Sequence, residues 1–380
     1  MTVKFRRVLR LLFLCSALWT TALAKEQQQA SDDNVEFIGS LGCKSSSCHG
    51  GAGEKRGQYF IWSQKDFHAK AFAILTAARS ARIAEGIGIS EAASSTRCTV
   101  CHSPFQAVTQ TRLVPTARGD EGVSCENCHG AAGPWLRGHT RTDWTYAMRV
   151  SAGLRDLRSL YERANACVAC HQNIDNDLIK AGHPTLMFEL DSQSINEPKH
   201  WSEEESLIGA AAWLTGQAVA LRETAWHART DQDPSKDSQE TSMALAWLLS
   251  KATAIDPDLP KVLEPTSSDL EALQTQGDSL ARYAGNWRPK IEILRSILHG
   301  LAETDREFVV TGKIGPETLS YRAQRLVLAL DRLAAALNAV IGPQAETAAK
   351  LGLLREDIRH RDSFELLKFA ADLRAFRGTL

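Results

Sequence analysis

From Ser202 onward the apolar positions recur at helical spacing. Ser202-Glu-Glu-Glu205 reads as a capping box, and Leu207, Ile208, Ala211, Ala212, Leu214, Val219 and Leu221 follow it. Gly209 and Gly216 predict an irregular helix there. Further helices are predicted within Met243 to Leu249, Leu270 to Tyr283, Ile291 to Leu298 and Leu319 to Val340. A last one runs from Asp362 to Phe376, capped by Asp362 or Ser363, with Phe364, Leu367 and Leu373 on its apolar face. Pro257 marks a break and Asp231 to Ser238 a polar linker or exposed loop. The segment 202–380 therefore predicts an all-α C-terminal domain.

The segment 35–201 has a different pattern. Gly, Ser, Asn and Asp separate short apolar runs, strand alternation is scarce, and a conventional core would be poor. The clearest helix is predicted from near Ser63 toward Glu85, with Phe67, Ala71, Phe72, Ile74 and Leu75 on one broad face.

What this half has instead is cysteine and histidine. Cys43-Lys-Ser-Ser-Ser-Cys48-His49, Cys98-Thr-Val-Cys101-His102, Cys125-Glu-Asn-Cys128-His129 and Cys167-Val-Ala-Cys170-His171 use eight of the nine cysteines. Three of these are C-x-x-C-H, the signature of covalent c-type haem attachment. The first is a variant with four residues between the cysteines, which requires a local loop. In this chemistry two thiols bond the haem edge and the adjoining histidine reaches the iron. Disulfides do not explain a histidine after every second cysteine, and zinc sites use other spacings. The pattern predicts four covalent haem c groups, with Cys43, Cys48, Cys98, Cys101, Cys125, Cys128, Cys167 and Cys170 as attachment residues. His49, His102, His129 and His171 are then the proximal ligands.

Four further histidines, His68, His139, His183 and His200, precede Trp201. Their number matches the four distal positions. Gly138 and Gly182 permit close backbone approach before His139 and His183, and Pro184 restricts the chain after the latter. His227, His299 and His360 read as ordinary helical or junction residues. The expected fold class is mainly α: a multihaem cytochrome c core of short helices and long loops, followed by the helical domain. Porphyrins would supply the apolar centre, so haem attachment and folding would be coupled.

The chain has 380 residues, 43% of them hydrophobic, and a formal charge of −1. Lys4, Arg6, Arg7 and Arg10 flank or interrupt an apolar run that leads to Ala22-Leu23-Ala24. Residues 1–24 therefore read as a secretory signal peptide, followed by a flexible segment at 25–34. Its removal takes four of the 44 basic residues and leaves 40 against 45 acidic ones, a charge of −5. Cys15 lies inside that signal stretch. Export fits the motifs, because c-type attachment is expected outside the cytoplasm, and the expected location is periplasmic. No later stretch reaches the roughly 18 to 20 apolar residues of a transmembrane helix. The ionic segments form no nucleic-acid-binding stripe.

These residues resemble the tetrahaem cytochrome c family typified by the electron acceptor of bacterial hydroxylamine oxidoreductase, the cytochrome c-554 type. The resemblance is carried mainly between Leu41 and His171. It includes Trp62 and His68-Ala-Lys-Ala-Phe72, then Gly122-Val-Ser-Cys125 to Gly130, then Gly138-His139-Thr-Arg141. It implies crossed ligation, with His139 distal to the first haem and His68 distal to the third. It also implies a later histidine at the fourth, for which His183 is the choice here, and a second haem that lacks a protein ligand or takes His200. The iron on His102 is thus the expected site of weak or absent distal ligation. The chain departs from the family in its wide first motif, its Gly-His183-Pro segment and its long C-terminal part.

The function expected is periplasmic electron transfer between redox donor and acceptor proteins, in a homo-oligomer or a membrane redox complex. One alternative is a small nitrogen-compound oxidoreductase using an open haem; the sequence gives no specific proton-transfer set for it, and Glu126, Asn127 and Arg141 are polar groups close in sequence to the expected haem regions. Another is a haem-bearing structural subunit.

Overall fold

The computed structural model describes residues 35–53, 56–203, 207–231, 236–264, 269–309, 314–360 and 364–380. The expected signal peptide, the segment 25–34, Glu204 and Glu205 of the capping box, residues 232–235 of the linker, and the caps Asp362 and Ser363 lie outside these residues. The fold is mainly α, as the periodicity predicts. Among the described residues the β-structure is an isolated bridge between Phe37 and Leu113.

In the N-terminal half the helices are short: α1 (Gln58–Lys65), α2 (Ala78–Gly86), α3 (Thr96–His102), α4 (Cys125–His129), α5 (Leu160–His171), α6 (Asn176–Lys180) and α7 (Leu190–Asn196). The single helix expected from Ser63 to Glu85 is not formed. Asp66 ends α1 in extended backbone, and its carboxylate accepts from the His68 amide at 2.8 Å. A 3-10 turn at Phe67–Lys70 and a helical turn at Ala71–Ile74 precede α2. An acceptor side chain at Asp66 gives the backbone an alternative to continuing the helix.

The C-terminal half is built from α8 (Ile208–Thr230), α9 (Lys236–Ile255), α10 (Leu270–Ala284), α11 (Ile291–Ala302), α12 (Pro316–Ile341), α13 (Ala345–Asp357) and α14 (Leu366–Arg377). Pro316 opens α12 where a missing N–H costs nothing, and Gly342 closes it at φ 87°. Helix α13 was not expected, because its apolar residues make no sustained stripe. Gly209 and Gly216 do not interrupt α8. A Cβ at Gly216 would lie 2.7 Å from Leu190 Cβ, and one at Gly209 would lie 3.0 Å from the Asp191 carboxylate. Both glycines let α7 approach α8 closely.

One continuous core fills this half, with Trp213, Trp247, Phe308, Phe369 and Phe376 fully buried. It runs back across the expected junction at 201/202 to include Leu160, Ala164 and Val168 of α5. Polar contacts reinforce that join. Asp278 of α10 accepts from Tyr161 at 2.8 Å and from Arg222 of α8 at 2.9 Å, and Arg222 also donates to Asn165 Oδ1 at 2.6 Å. The helix that carries the fourth Cys-Cys-His motif is thus held by the C-terminal helices. No helix among the described residues is long and apolar enough to cross a membrane.

Candidate haem centre

Each motif places its histidine at a fixed end. The second, third and fourth lie at the C-terminal ends of α3, α4 and α5. Asn127 accepts from the Ser124 amide at 2.6 Å and starts α4. Arg155 closes it, donating to the carbonyls of Asn127 at 2.6 Å and Cys128 at 3.0 Å. The first motif uses its extra residues as a turn. Ser45 O accepts from the amides of Cys48 and Gly50, and the His49 amide reaches back to Cys43 O at 3.2 Å. A Cβ at Gly50 would sit 1.7 Å from Lys44 O, so this loop requires glycine.

The distal candidates meet the motif histidines in pairs. The rings of His49 and His139 have centroids 6.2 Å apart and are nearly parallel, 18° from coplanar. Those of His68 and His171 are 5.9 Å apart, and those of His129 and His200 are 6.2 Å apart. Two imidazoles on opposite sides of one metal, each bonded at about 2 Å, have centroids roughly 6 Å apart once the rings are added. His183 lies by His102, close enough to act on it electrostatically.

This differs from the crossing implied by the resemblance. His139 stands opposite the first motif as implied. His68, however, faces the fourth motif and not the third. His200 faces the third and not the second, and His183 lies near the second. The chain path decides this: Gly122 at φ 76° and the Val123 amide, which donates to His68 O at 3.0 Å, hold the His68 turn beside the segment leading into α4. From there its ring points to the end of α5.

On His49, His68, His102, His139, His183 and His200 Nδ1 has a partner, which orients those imidazoles for a metal at Nε2. Nδ1 of His49 bonds Gln58 Oε1 at 3.1 Å, that of His102 bonds Ala71 O at 3.1 Å, and that of His139 bonds Leu136 O at 2.5 Å. His183 Nδ1 bonds Pro184 O at 2.9 Å and His200 Nδ1 lies 3.4 Å from Pro198 O. His68 Nδ1 is 3.0 Å from Asp66 and 3.4 Å from Glu197. Hydrogen bonds to those two carboxylates push the His68 imidazole up to about 10, and the same groups would strengthen it as a ligand. Burial pushes His129 down to about 4 and also lowers His102 and His171, which favours the neutral, metal-binding form of these three rings.

The surroundings suit a large apolar disc. Phe67 beside His68, Ile74, and Val100 inside the second motif are 81%, 52% and 51% exposed. Trp135 stands edge-on to His139 at 5.4 Å and Trp201 edge-on to His200 at 5.3 Å. Gly138 is needed because the Trp144 ring packs where its Cβ would be. All eight motif cysteines are free thiols. The thiols of Cys43 and Cys125 stand beside one another, as do those of Cys101 and Cys170. The attachment points of the first and third motifs, and of the second and fourth, are therefore neighbours.

Of the polar groups proposed near an open haem, Glu126 is a buried structural acceptor. It is 2% exposed and takes the amides of Ile38, Gly39 and Ala132 at 2.6 to 3.0 Å. Asn127 caps α4, and Arg141 pairs with Asp143 at the surface. Sequence reasoning missed Arg155, Asp66 and Glu197, whose signals are single charged residues without a pattern.

No curated protein and no solved structure matches the chain. A family match does exist, and it contains the first three motifs with His68 between them, while the fourth motif lies beyond it. Residues 43–130 match the family described as cytochrome c554 and c-prime, a match that supports covalently attached haem c and haem-based electron transfer.

Proposed function

We propose that the chain is an exported electron carrier holding four haem c groups, one on each Cys-Cys-His motif. The observation that carries this reading is the set of three histidine pairs with ring centroids 5.9 to 6.2 Å apart, each joining a motif histidine to one from a distant segment. Bound haem supplies an iron that cycles between Fe(III) and Fe(II). The protein's own work is to anchor, orient and enclose. The thiols fix each porphyrin edge, paired imidazoles would retain the iron in both states, and Asp66, Glu197 and Gln58 set ring orientation. Paired ligands leave no position for a substrate at those three sites, which favours a carrier over an enzyme. The adjacent thiols of different motifs support a close array.

The fourth motif lies outside the family match, and its helix α5 ties it to the C-terminal helices. Those helices accordingly serve to brace it, and electrons would be exchanged with donor and acceptor proteins at the N-terminal half. Intact mass of the matured, exported protein after denaturation tests the proposal. Four haem additions are expected; three or fewer would overturn it.

A further inference from the structure

We propose that His183 is the second axial ligand of the iron held by Cys98, Cys101 and His102, and that Arg97 and Arg79 position it there. This deepens the four-haem reading and rests on it. It closes the site that the sequence left as the likeliest to be open.

Arg97 lies on α3, the helix that carries Cys98, Cys101 and His102. Its guanidinium forks onto Asp177 with two contacts of 2.7 Å and reaches Asp175 at 2.7 Å. A bidentate arginine–carboxylate pair fixes direction as well as distance. Asp175 is the N-cap of α6 and Asp177 lies in its first turn, so the second motif's helix grips the start of α6. The end of α6 delivers His183. Gly182 turns the chain at φ 105°, its amide bonds Ile179 O at 2.9 Å, and the His183 amide bonds Leu178 O at 2.9 Å. From the other side Arg79 of α2 donates to Gly182 O at 2.7 Å. Gly86 of α2 lets the chain approach, since a Cβ there would lie 3.1 Å from Ala181 Cβ.

The His183 segment is thus held against the second motif from two helices. Both rings have Nδ1 engaged, His102 with Ala71 O and His183 with Pro184 O, which leaves both Nε2 atoms for one iron. The arginine pairs are partly exposed, so their contribution is mainly geometric, with little to global stability.

The test combines intact mass with carbon monoxide titration and low-temperature electron paramagnetic resonance of the matured protein. The wild type should carry four haems, all low spin, and bind no carbon monoxide when reduced. His183→Ala should keep four haems and take up one equivalent. Arg97→Ala should take up a fraction of an equivalent, and Arg97→Lys less. His183→Met should remain six-coordinate and raise the potential of one haem, since a thioether ligand favours the reduced iron. Uptake of one equivalent by the wild type, unchanged by His183→Ala, would overturn the assignment. So would four unchanged potentials in His183→Met, a readout that survives if the alanine variant fails to mature. Three haems, all low spin, with the missing one at the first motif, would overturn the four-haem reading while supporting this pairing.

Discussion

The ring of His68 stands 5.9 Å from that of His171, edge to face, with Asp66 and Glu197 behind its Nδ1. Family resemblance pairs it with the third motif; the fold pairs it with the fourth. The two assignments predict different variants. His68→Ala should turn one haem five-coordinate, and the low-spin signal it loses should be the one shifted in His171→Met. A lost signal that matches His129→Met instead would reject the His68–His171 pair. His200→Ala should show the converse, matching His129→Met.

The first motif closes its wider loop through the His49 amide and Cys43 O. Replacing Cys43 and Cys48 together with serine should remove one haem by intact mass and leave the others. An unchanged haem count in the double variant would show that this loop carries none.

Asp191 is 6% exposed, and burial, with help from Glu189, pushes its carboxyl up to about 7 against the partial relief from Arg332. Between its ordinary value near about 4 and this raised one, the folded state binds the proton and the unfolded state does not. Stability should therefore fall as pH rises through that window. Asp191→Asn should remove this slope and stabilise the protein at pH 8 by on the order of 1–3 kcal/mol. Chemical denaturation of both proteins at pH 5 and pH 8 measures it. Parallel pH slopes would refute the assignment.

Gly216 sits in the middle of α8, where alanine would ordinarily gain about 1 kcal/mol in helix propensity. Here a Cβ would meet Leu190 Cβ at 2.7 Å and Leu190 N at 2.9 Å, and neither can move without α7. Gly216→Ala should destabilise by roughly 1–3 kcal/mol. A rise in melting temperature would mean that α7 shifts freely.

Much of the chemistry is local and was legible in order of residues. Two thiols and a histidine within one turn predict a haem attachment wherever the chain goes, and Ala22-Leu23-Ala24 carries the cleavage expectation in the same way. The periodic faces of α8, α10, α11 and α12 are likewise short-range information, because a helix repeats every few residues and its apolar stripe is written along it. The partners of the motif histidines are not. His68, His139, His183 and His200 lie in turns and loops without period, so which motif each comes near depends on the chain path. Gly122, the Arg97–Asp177 fork and the α5–α8 packing set that path in three dimensions. The same holds for Gly209 and Gly216. In one dimension they weaken a helix; against α7 their missing Cβ lets Leu190 and Asp191 come that near.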